Sequence, residues 1–303
     1  MRRLSTCLAA TALVATSALA APSATSAPVP AGSEHHAKPA KVSSYVAMGD
    51  SYSATGIAPL DPGPGGTECG RSDATYSHLI AAQLDVESFR DVACGGADTS
   101  DYFHHQYADI PAQLTALKKS TQLVTMTIGG NDGNVFGGLV TSCVIASAAE
   151  RQTTGSISGA PCKAQYRDSF RKKVQQETYP NVLRALQVVR KRAPQATVAI
   201  LGYPRILPEA GVPSCYSSVP ISMGDVPYLD RTQRTLNRVI ERAAKKTGVR
   251  FVDMSQVSLG HDACQPVGTR WIEPLIGGVS TALHPNVIGH QAMATKALKH
   301  LGL

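Results

Sequence analysis

Aromatic residues are scarce: they make up 5% of the 303 residues, with a single tryptophan, Trp271. A protein that grips bases on stacked rings needs more than that. Nowhere does an apolar run of about 18 residues occur, so no membrane-spanning helix is expected. No two cysteines form a C-x-x-C pair, which removes the common structural zinc sites. The G-x-S-x-G nucleophile elbow of α/β-hydrolases is missing around every serine. The 29 lysines and arginines do not gather into one stripe, so nucleic acid is not an expected partner.

What is present suffices for a sizeable core. Hydrophobic residues are 43% of the chain, and the length fits one large domain or two small ones. At the N-terminus, Arg2 and Arg3 precede the apolar run Leu8–Ala20. Small-residue cleavage sites follow at Ala18-Leu19-Ala20 or Thr25-Ser26-Ala27, which is the layout of a secretory signal peptide, expected over residues 1–27. Cys7 stands before the apolar run, so it is not placed for lipid attachment at a cleavage site. Removing residues 1–27 takes away Arg2 and Arg3 and no acid, which lowers the formal net charge from +7 to +5. The residual positive charge fits an ordinary exported surface; it would also favour transient contact with anionic lipid. Residues 28–43, rich in Pro, Ala and Ser, read as a flexible leader, and 44–303 as one domain.

Six cysteines remain after the leader: Cys69, Cys94, Cys143, Cys162, Cys215 and Cys264. An even number in an exported chain implies disulfides, with about 15 pairings open to six thiols. The sequential pairing, 69–94, 143–162 and 215–264, closes three local loops and is the expectation. Each bridge would contribute on the order of 3 kcal/mol by restricting the unfolded chain.

Short β-rich runs alternate with helical ones. Strands are expected at Ser44–Met48, Glu87–Ala93, Leu123–Ile128, Thr197–Leu201 and Val249–Val252. Helices are expected at Tyr76–Leu84, Ile110–Leu117, Tyr166–Arg192 (bent or interrupted at Pro180), Leu229–Lys246 and His290–Leu301. Strands separated by helices make βαβ units, hence an α/β fold: a three-layer α/β/α sandwich on a five-stranded parallel sheet. Three long stretches read as irregular, Ala54–Arg71, Gly133–Gly159 and Gly202–Asp225. Each contains or ends near a cysteine, as stapled loops around a site would.

In such a sheet, ligands bind beyond the carboxyl ends of the strands. Strand one runs into Gly49-Asp50-Ser51-Tyr52-Ser53, strand two into Cys94-Gly95-Gly96-Ala97, and strand three into Gly129-Gly130-Asn131-Asp132. Leu283-His284-Pro285-Asn286 leads into the last helix. Taken singly, these are a helix cap, two turns and a surface histidine. Together they bring a hydroxyl, an imidazole, a glycine amide and a carboxamide to one rim. Acyl transfer needs that set: serine requires an adjacent base, and the tetrahedral oxyanion requires fixed donors.

The four blocks resemble the SGNH (GDSL) hydrolase family, and more narrowly its secreted actinomycete lipases and esterases. The resemblance runs from about Ser44 to the end. It implies a flavodoxin-like sheet, no metal and no cofactor, with Ser51 as nucleophile and His284 as base. Ser51, Gly96 and Asn131 would form the oxyanion hole. One departure stands out. The family's terminal block is D-x-x-H-P, but the position three residues before the histidine is Thr281 here. A backbone carbonyl, of Thr281 in preference to Ala282, would then hold the ring. Asp262 or Glu273 reaching in is the rival.

Other features carry less. His104-His105 has no partner ligand at metal spacing, and His35-His36 lies in the leader. Asp132 is expected to orient the Asn131 loop. The apolar stretch around Trp271 reads equally as packing or as an acyl-chain wall. The expectation is an exported carboxylic-ester hydrolase acting on lipid-like or other acyl esters as a monomer. Phospholipase A1 and carbohydrate O-acetyl esterase are the alternatives within that chemistry. A non-catalytic binding domain is the alternative outside it.

Overall fold

The structure, a computed structural model, describes residues 41–56, 63 and 65–303. The expected signal peptide and the expected leader through residue 40 lie outside them. Five strands, β1 (Ser44–Gly49), β2 (Ser88–Asp91), β3 (Leu123–Thr127), β4 (Thr197–Leu201) and β5 (Arg250–Val252), form one parallel sheet in the order β2-β1-β3-β4-β5. Side chains alternate across it. Val46, Met48, Val124, Met126, Val198 and Ile200 enter one core, while Tyr45, Ala47, Leu123, Ala199 and Leu201 enter the other. Both faces are covered, so the central strands read as continuous apolar runs.

Among the described residues the α-helices are α1 (Ser51–Ala54), α2 (Gly66–Cys69), α3 (Tyr76–Gln83), α4 (Val135–Thr154), α5 (Pro161–Tyr166), α6 (Ser169–Lys173), α7 (Tyr179–Arg192), α8 (Val226–Thr247) and α9 (Val287–Leu301). α3 and α9 pack together on one face of the sheet, α7 and α8 on the other. The long α8 starts with Pro227 in its first turn and stops at Gly248, whose φ of 68° is the left-handed close that glycine makes cheaply. It buries Leu229, Leu236, Val239, Ile240 and Ala243 along one stripe. Burying a leucine or isoleucine side chain in this way contributes about 1.5–3 kcal/mol. The chain passes from β1 to β2 on one side and later to β3 on the other. The crevice where the order reverses therefore opens between the loops after β1 and β3, those that carry Ser51 and Asn131.

Three expectations need correction. Gly133–Gly159 is not irregular but holds the 20-residue helix α4. Gly137 and Gly138 near its start and its many Ser and Thr residues mask a narrow buried stripe, Val135, Leu139, Cys143 and Ala146. Ile110–Leu117 is not an α-helix; only a 3₁₀ turn, Gln113–Ala116, forms there. Pro111 follows at once, and the buried Gln113 carboxamide pairs with the backbone of Gly49, accepting from its N–H at 2.7 Å and donating to its carbonyl at 2.9 Å. The segment is a strap across the end of β1. Tyr166–Arg192 is interrupted as expected, but at two places. Arg167 breaks the chain between α5 and α6 with φ 47°, and a π-helical turn over Val174–Thr178 precedes Pro180, which has no N–H to continue a ladder.

The disulfides are Cys69–Cys94, Cys143–Cys162 and Cys215–Cys264. The first joins α2 to the loop after β2, the second joins α4 to α5, and the third ties the loop after β4 to the segment before the C-terminal histidine.

Candidate active site

Strand β1 ends on Gly49, where the chain must turn sharply. Its φ is 125°, and a Cβ there would stand 2.3 Å from the Thr127 carbonyl oxygen, so only glycine fits. The next residue, Asp50, caps α1. Its carboxylate accepts from the Tyr52 N–H at 3.0 Å, from Thr127 Oγ1 at 2.7 Å and from the hydroxyl of Tyr203. Burial pushes the Asp50 carboxyl up to about 6, although those donors pull the other way. The Tyr203 hydroxyl in turn accepts from the Gly130 N–H at 2.9 Å. One buried carboxylate thus fixes the turn that presents Ser51 and, through Tyr203, the loop that presents Asn131.

His284 Nε2 lies 2.7 Å from Ser51 Oγ, across 233 residues of sequence. The other ring nitrogen, Nδ1, lies 2.7 Å from the carbonyl oxygen of Ala282. A carbonyl can only accept, so Nδ1 carries the proton and Nε2 turns its lone pair to the serine hydroxyl. Burial lowers the His284 pKa below the usual 6.5, against the pull of the Ala282 carbonyl. The imidazole is therefore neutral at pH 7.

Ala282, not the favoured Thr281, holds the ring. The Thr281 carbonyl is already taken, accepting the His284 backbone N–H at 3.2 Å to close a turn. Leu283 completes that turn with φ 59° and offers its own carbonyl to the Tyr52 hydroxyl at 2.6 Å. Neither rival carboxylate touches the ring. Glu273 accepts from Arg270 at 2.8 Å, Asn286 at 2.9 Å and the Val279 N–H at 3.1 Å. Burial alone would raise its pKa, but the donors from Asn286 and Arg270 outweigh burial and hold it below 4.5. Asp262 is occupied by the Cys264 N–H and the Gln265 side chain.

Gly96 takes φ 76° and is exposed, and Gln106 braces its loop by donating to the Gly95 carbonyl at 2.7 Å. Asn131 donates one N–H of its carboxamide to the Ala97 carbonyl at 2.9 Å, which leaves the second hydrogen unused. Asp132 accepts from both the N–H and the hydroxyl of Thr99, at 2.9 and 3.0 Å, and so ties the Asn131 loop to the glycine loop. Among the described residues the amides of Ser51 and Gly96 donate to no other group. No cluster of three or more His, Cys, Asp or Glu there is placed to hold a metal.

From Ser51 and Asn131 an apolar cavity runs inward. Phe136 and Leu139 of α4 line one wall, Leu229 and Leu236 of α8 another, and Val219 and Ile221 from the loop after β4 a third. Trp271 is not among its lining residues; it stacks on His261 with ring centres 4.3 Å apart and packs against the core that α3 and α9 share with the sheet. Of its two readings, packing holds. Two features escaped the sequence: the cavity wall formed by α4, and the Asp50–Tyr203–Gly130 chain. Tyr203 stands just after β4, at the same rim as the loops that follow β1, β2 and β3.

Comparison with known proteins gives the family. The family model described as GDSL-like Lipase/Acylhydrolase matches residues 47–292. Lipase 2 of Streptomyces coelicolor is 46% identical over 276 residues, covering 88% of this chain and 90% of that protein. The extracellular lipase of Streptomyces rimosus, a solved structure, superposes with a TM-score of 0.67 at 30% identity, over 86% of this chain and 98% of that one. Phospholipase A1 of Streptomyces albidoflavus superposes with a TM-score of 0.70 at 29% identity, over 86% and 99%. The chain belongs to the GDSL-like lipase/acylhydrolase family of SGNH hydrolases, and it is a carboxylic-ester hydrolase of the actinomycete lipase/esterase type.

Proposed function

We propose that this protein is an exported lipase that cleaves long-chain acyl esters through an acyl-enzyme on Ser51, with a Ser51–His284 dyad in place of a full triad. The observation that carries the reading is the pair of 2.7 Å contacts at His284, one to Ser51 Oγ and one to a main-chain carbonyl. His284 Nε2 takes the Ser51 proton as Oγ attacks the ester carbonyl carbon. The oxyanion formed is met by the N–H groups of Ser51 and Gly96 and by the free hydrogen of Asn131. Collapse of the intermediate expels the alcohol, to which His284 returns the proton. Water then repeats the sequence on the acyl-enzyme and releases the acid.

The apolar lining of the cavity beside Ser51 favours an aliphatic acyl chain over a more polar group. Ile276 and Val279, 55% and 82% exposed, stand on the loop just before His284 and favour contact with a lipid surface. The structural likeness to phospholipase A1 and the positive net charge support phospholipid as a second substrate class. Arg2, Arg3, the following apolar run and the six paired cysteines support export after cleavage within residues 18–27.

The test is a panel of short and long p-nitrophenyl esters, emulsified triacylglycerol and phosphatidylcholine, each with Ser51→Ala as control. Rates that rise with chain length and vanish in Ser51→Ala support the proposal. Preference for acetyl esters, or activity surviving in Ser51→Ala, contradicts it.

A further inference from the structure

A second cavity is lined by charge where the first is lined by carbon. It lies between the α5–α6 corner and the first two turns of α8, and Lys163, Arg167, Asp168, Arg171, Tyr228 and Arg231 line it. Four cations thus face one carboxylate. That carboxylate is engaged: Asp168 accepts from Arg171 Nε at 3.1 Å and from Arg171 Nη2. Lys163, Arg167 and Arg231 form no ion pair within 4 Å among the described residues. Two further acids lie close by, and both are committed. Asp225 accepts the backbone N–H groups of Cys162 and Lys163 at 2.9 and 2.8 Å. Asp230 pairs with Arg205 and Arg234, each at 3.0 Å.

The decisive group is Tyr228. Its side chain is 2% exposed; the Ser169 hydroxyl sits beside its oxygen, and no acceptor takes its own hydrogen. Buried hydroxyls are almost always paired, so this O–H, set among cations that no carboxylate engages, is placed to donate to an anion. An acceptor that suits a phenol O–H and several guanidinium N–H groups together is a multi-oxygen anion, because the planar arginine fork matches phosphate geometry. The frame is stiff: the Cys143–Cys162 bridge anchors α5 to α4.

The position is also informative. α8 follows β4, so its first turns sit at the carboxyl edge of the sheet, the edge that carries Ser51. Leu229 and Leu236 of α8 line the apolar cavity, whereas Tyr228 and Arg231 face away from it into the charged one. The two cavities flank one helix, whose width with side chains is about 10–12 Å.

We propose that this pocket is a second binding site, distinct from the ester-cleaving site, that takes a phosphate-type oxyanion, with the Tyr228 hydroxyl and the side chains of Arg167, Arg231 and Lys163 as donors. A free phosphate and the phosphate of a lipid headgroup present the same chemistry to it.

The experiment is a calorimetric titration of the mature protein with inorganic phosphate at low ionic strength. It is repeated on Tyr228→Phe and on the double variant Arg167→Gln/Arg231→Gln, with melting temperature as the folding control. One saturable site is expected, weakened on the order of 10-fold in the double variant and several-fold in Tyr228→Phe. Hydrolysis of a short soluble ester should stay within about twofold in both variants, since neither touches Ser51. Co-flotation with phosphatidylcholine vesicles, with and without phosphatidic acid, separates the sources. Binding that requires phosphatidic acid and falls in the variants assigns the site to lipid headgroups; binding of phosphate alone assigns it to the free ion. The proposal is overturned if no saturable phosphate binding appears or if the folded variants bind as well as the parent. Loss of soluble-ester turnover in step with phosphate binding overturns it too, because the pocket would then be part of the ester site. The titration reads occupancy and not turnover, so it stands whether or not Ser51 is the nucleophile.

Discussion

The hydroxyl of Tyr52, the residue after Ser51, donates to the carbonyl of Leu283, the residue before His284, at 2.6 Å. The two halves of the site are thus tied one position away from Ser51 and one from His284. The bond also fills the last of three consecutive carbonyls, 281 to 283, each with its own donor. The histidine turn has no slack at that point.

Tyr52→Phe keeps the ring that helps to line the cavity and should therefore loosen the Ser51–His284 distance alone. A buried carbonyl left without its donor costs about 1–3 kcal/mol. The expected outcome is a kcat lower by roughly 10-fold with KM little changed, and a small fall in melting temperature. Steady-state kinetics on a soluble ester, with thermal melting alongside, checks both.

Asp262→Asn should leave kcat within about twofold of the parent, because that carboxylate does not reach the imidazole. Glu273→Gln should keep its turnover per folded molecule but lose on the order of 1–3 kcal/mol of stability with its buried charge-assisted bonds. The carboxyl of Glu273 is depressed in the folded state, so its contribution is present above 4.5 and lost as pH falls below that. Glu273→Gln should accordingly show a shallower acid loss of stability. A collapse of kcat in folded Asp262→Asn would mean that a triad operates.

His290 predicts a pH effect of its own. It is fully buried, with Nδ1 accepting from the Tyr76 N–H at 3.2 Å and Nε2 on the Thr55 carbonyl at 3.0 Å. Protonation would set N–H against N–H at Nδ1, and burial, the larger cause, lowers its pKa to about 4. The unfolded chain takes up this proton near 6.5, so stability is full above that and falls as pH drops toward 4, by about 3 kcal/mol over the window. Asp50, raised to about 6, works oppositely in part of the same range, since its ionisation disfavours the folded state as pH rises. Denaturant titrations of His290→Gln and the parent at several pH values separate the two: the variant should lack the acid loss assigned to His290.

Leu139→Trp, which places an indole in the cavity wall, should lower the ratio of long- to short-chain ester turnover by 10-fold or more while sparing short esters. Val279→Asp, on the exposed loop before His284, should slow hydrolysis of emulsified substrate and leave soluble ester turnover unchanged.

Much of this was legible from the chain, because rim positions follow from strand ends. Strand β4 was located to the residue, and the blocks at Ser51, Gly96, Asn131 and His284 each follow a strand or precede the last helix. The misses share a cause. α4 was hidden because its buried stripe is one residue wide and interleaved with Gly, Ser and Thr, which single-sequence propensity assigns to loops. The segment at Gln113 carries a helical pattern of apolar residues, but a tertiary demand, capping Gly49, overrides it. Thr281 and Ala282 are one residue apart, and the turn through Leu283, with φ 59°, spends the Thr281 carbonyl on the His284 N–H and leaves that of Ala282 to meet the ring. Such choices rest on backbone angles that the sequence pattern does not encode.

The most direct measurement is peptide mapping by mass spectrometry after treatment with an active-site-directed alkyl phosphonate. A single adduct on the peptide holding Ser51, formed at least about a thousandfold more slowly in His284→Ala, is the expected result. An adduct on any other residue, or labelling of Ser51 at an undiminished rate without His284, would contradict the dyad.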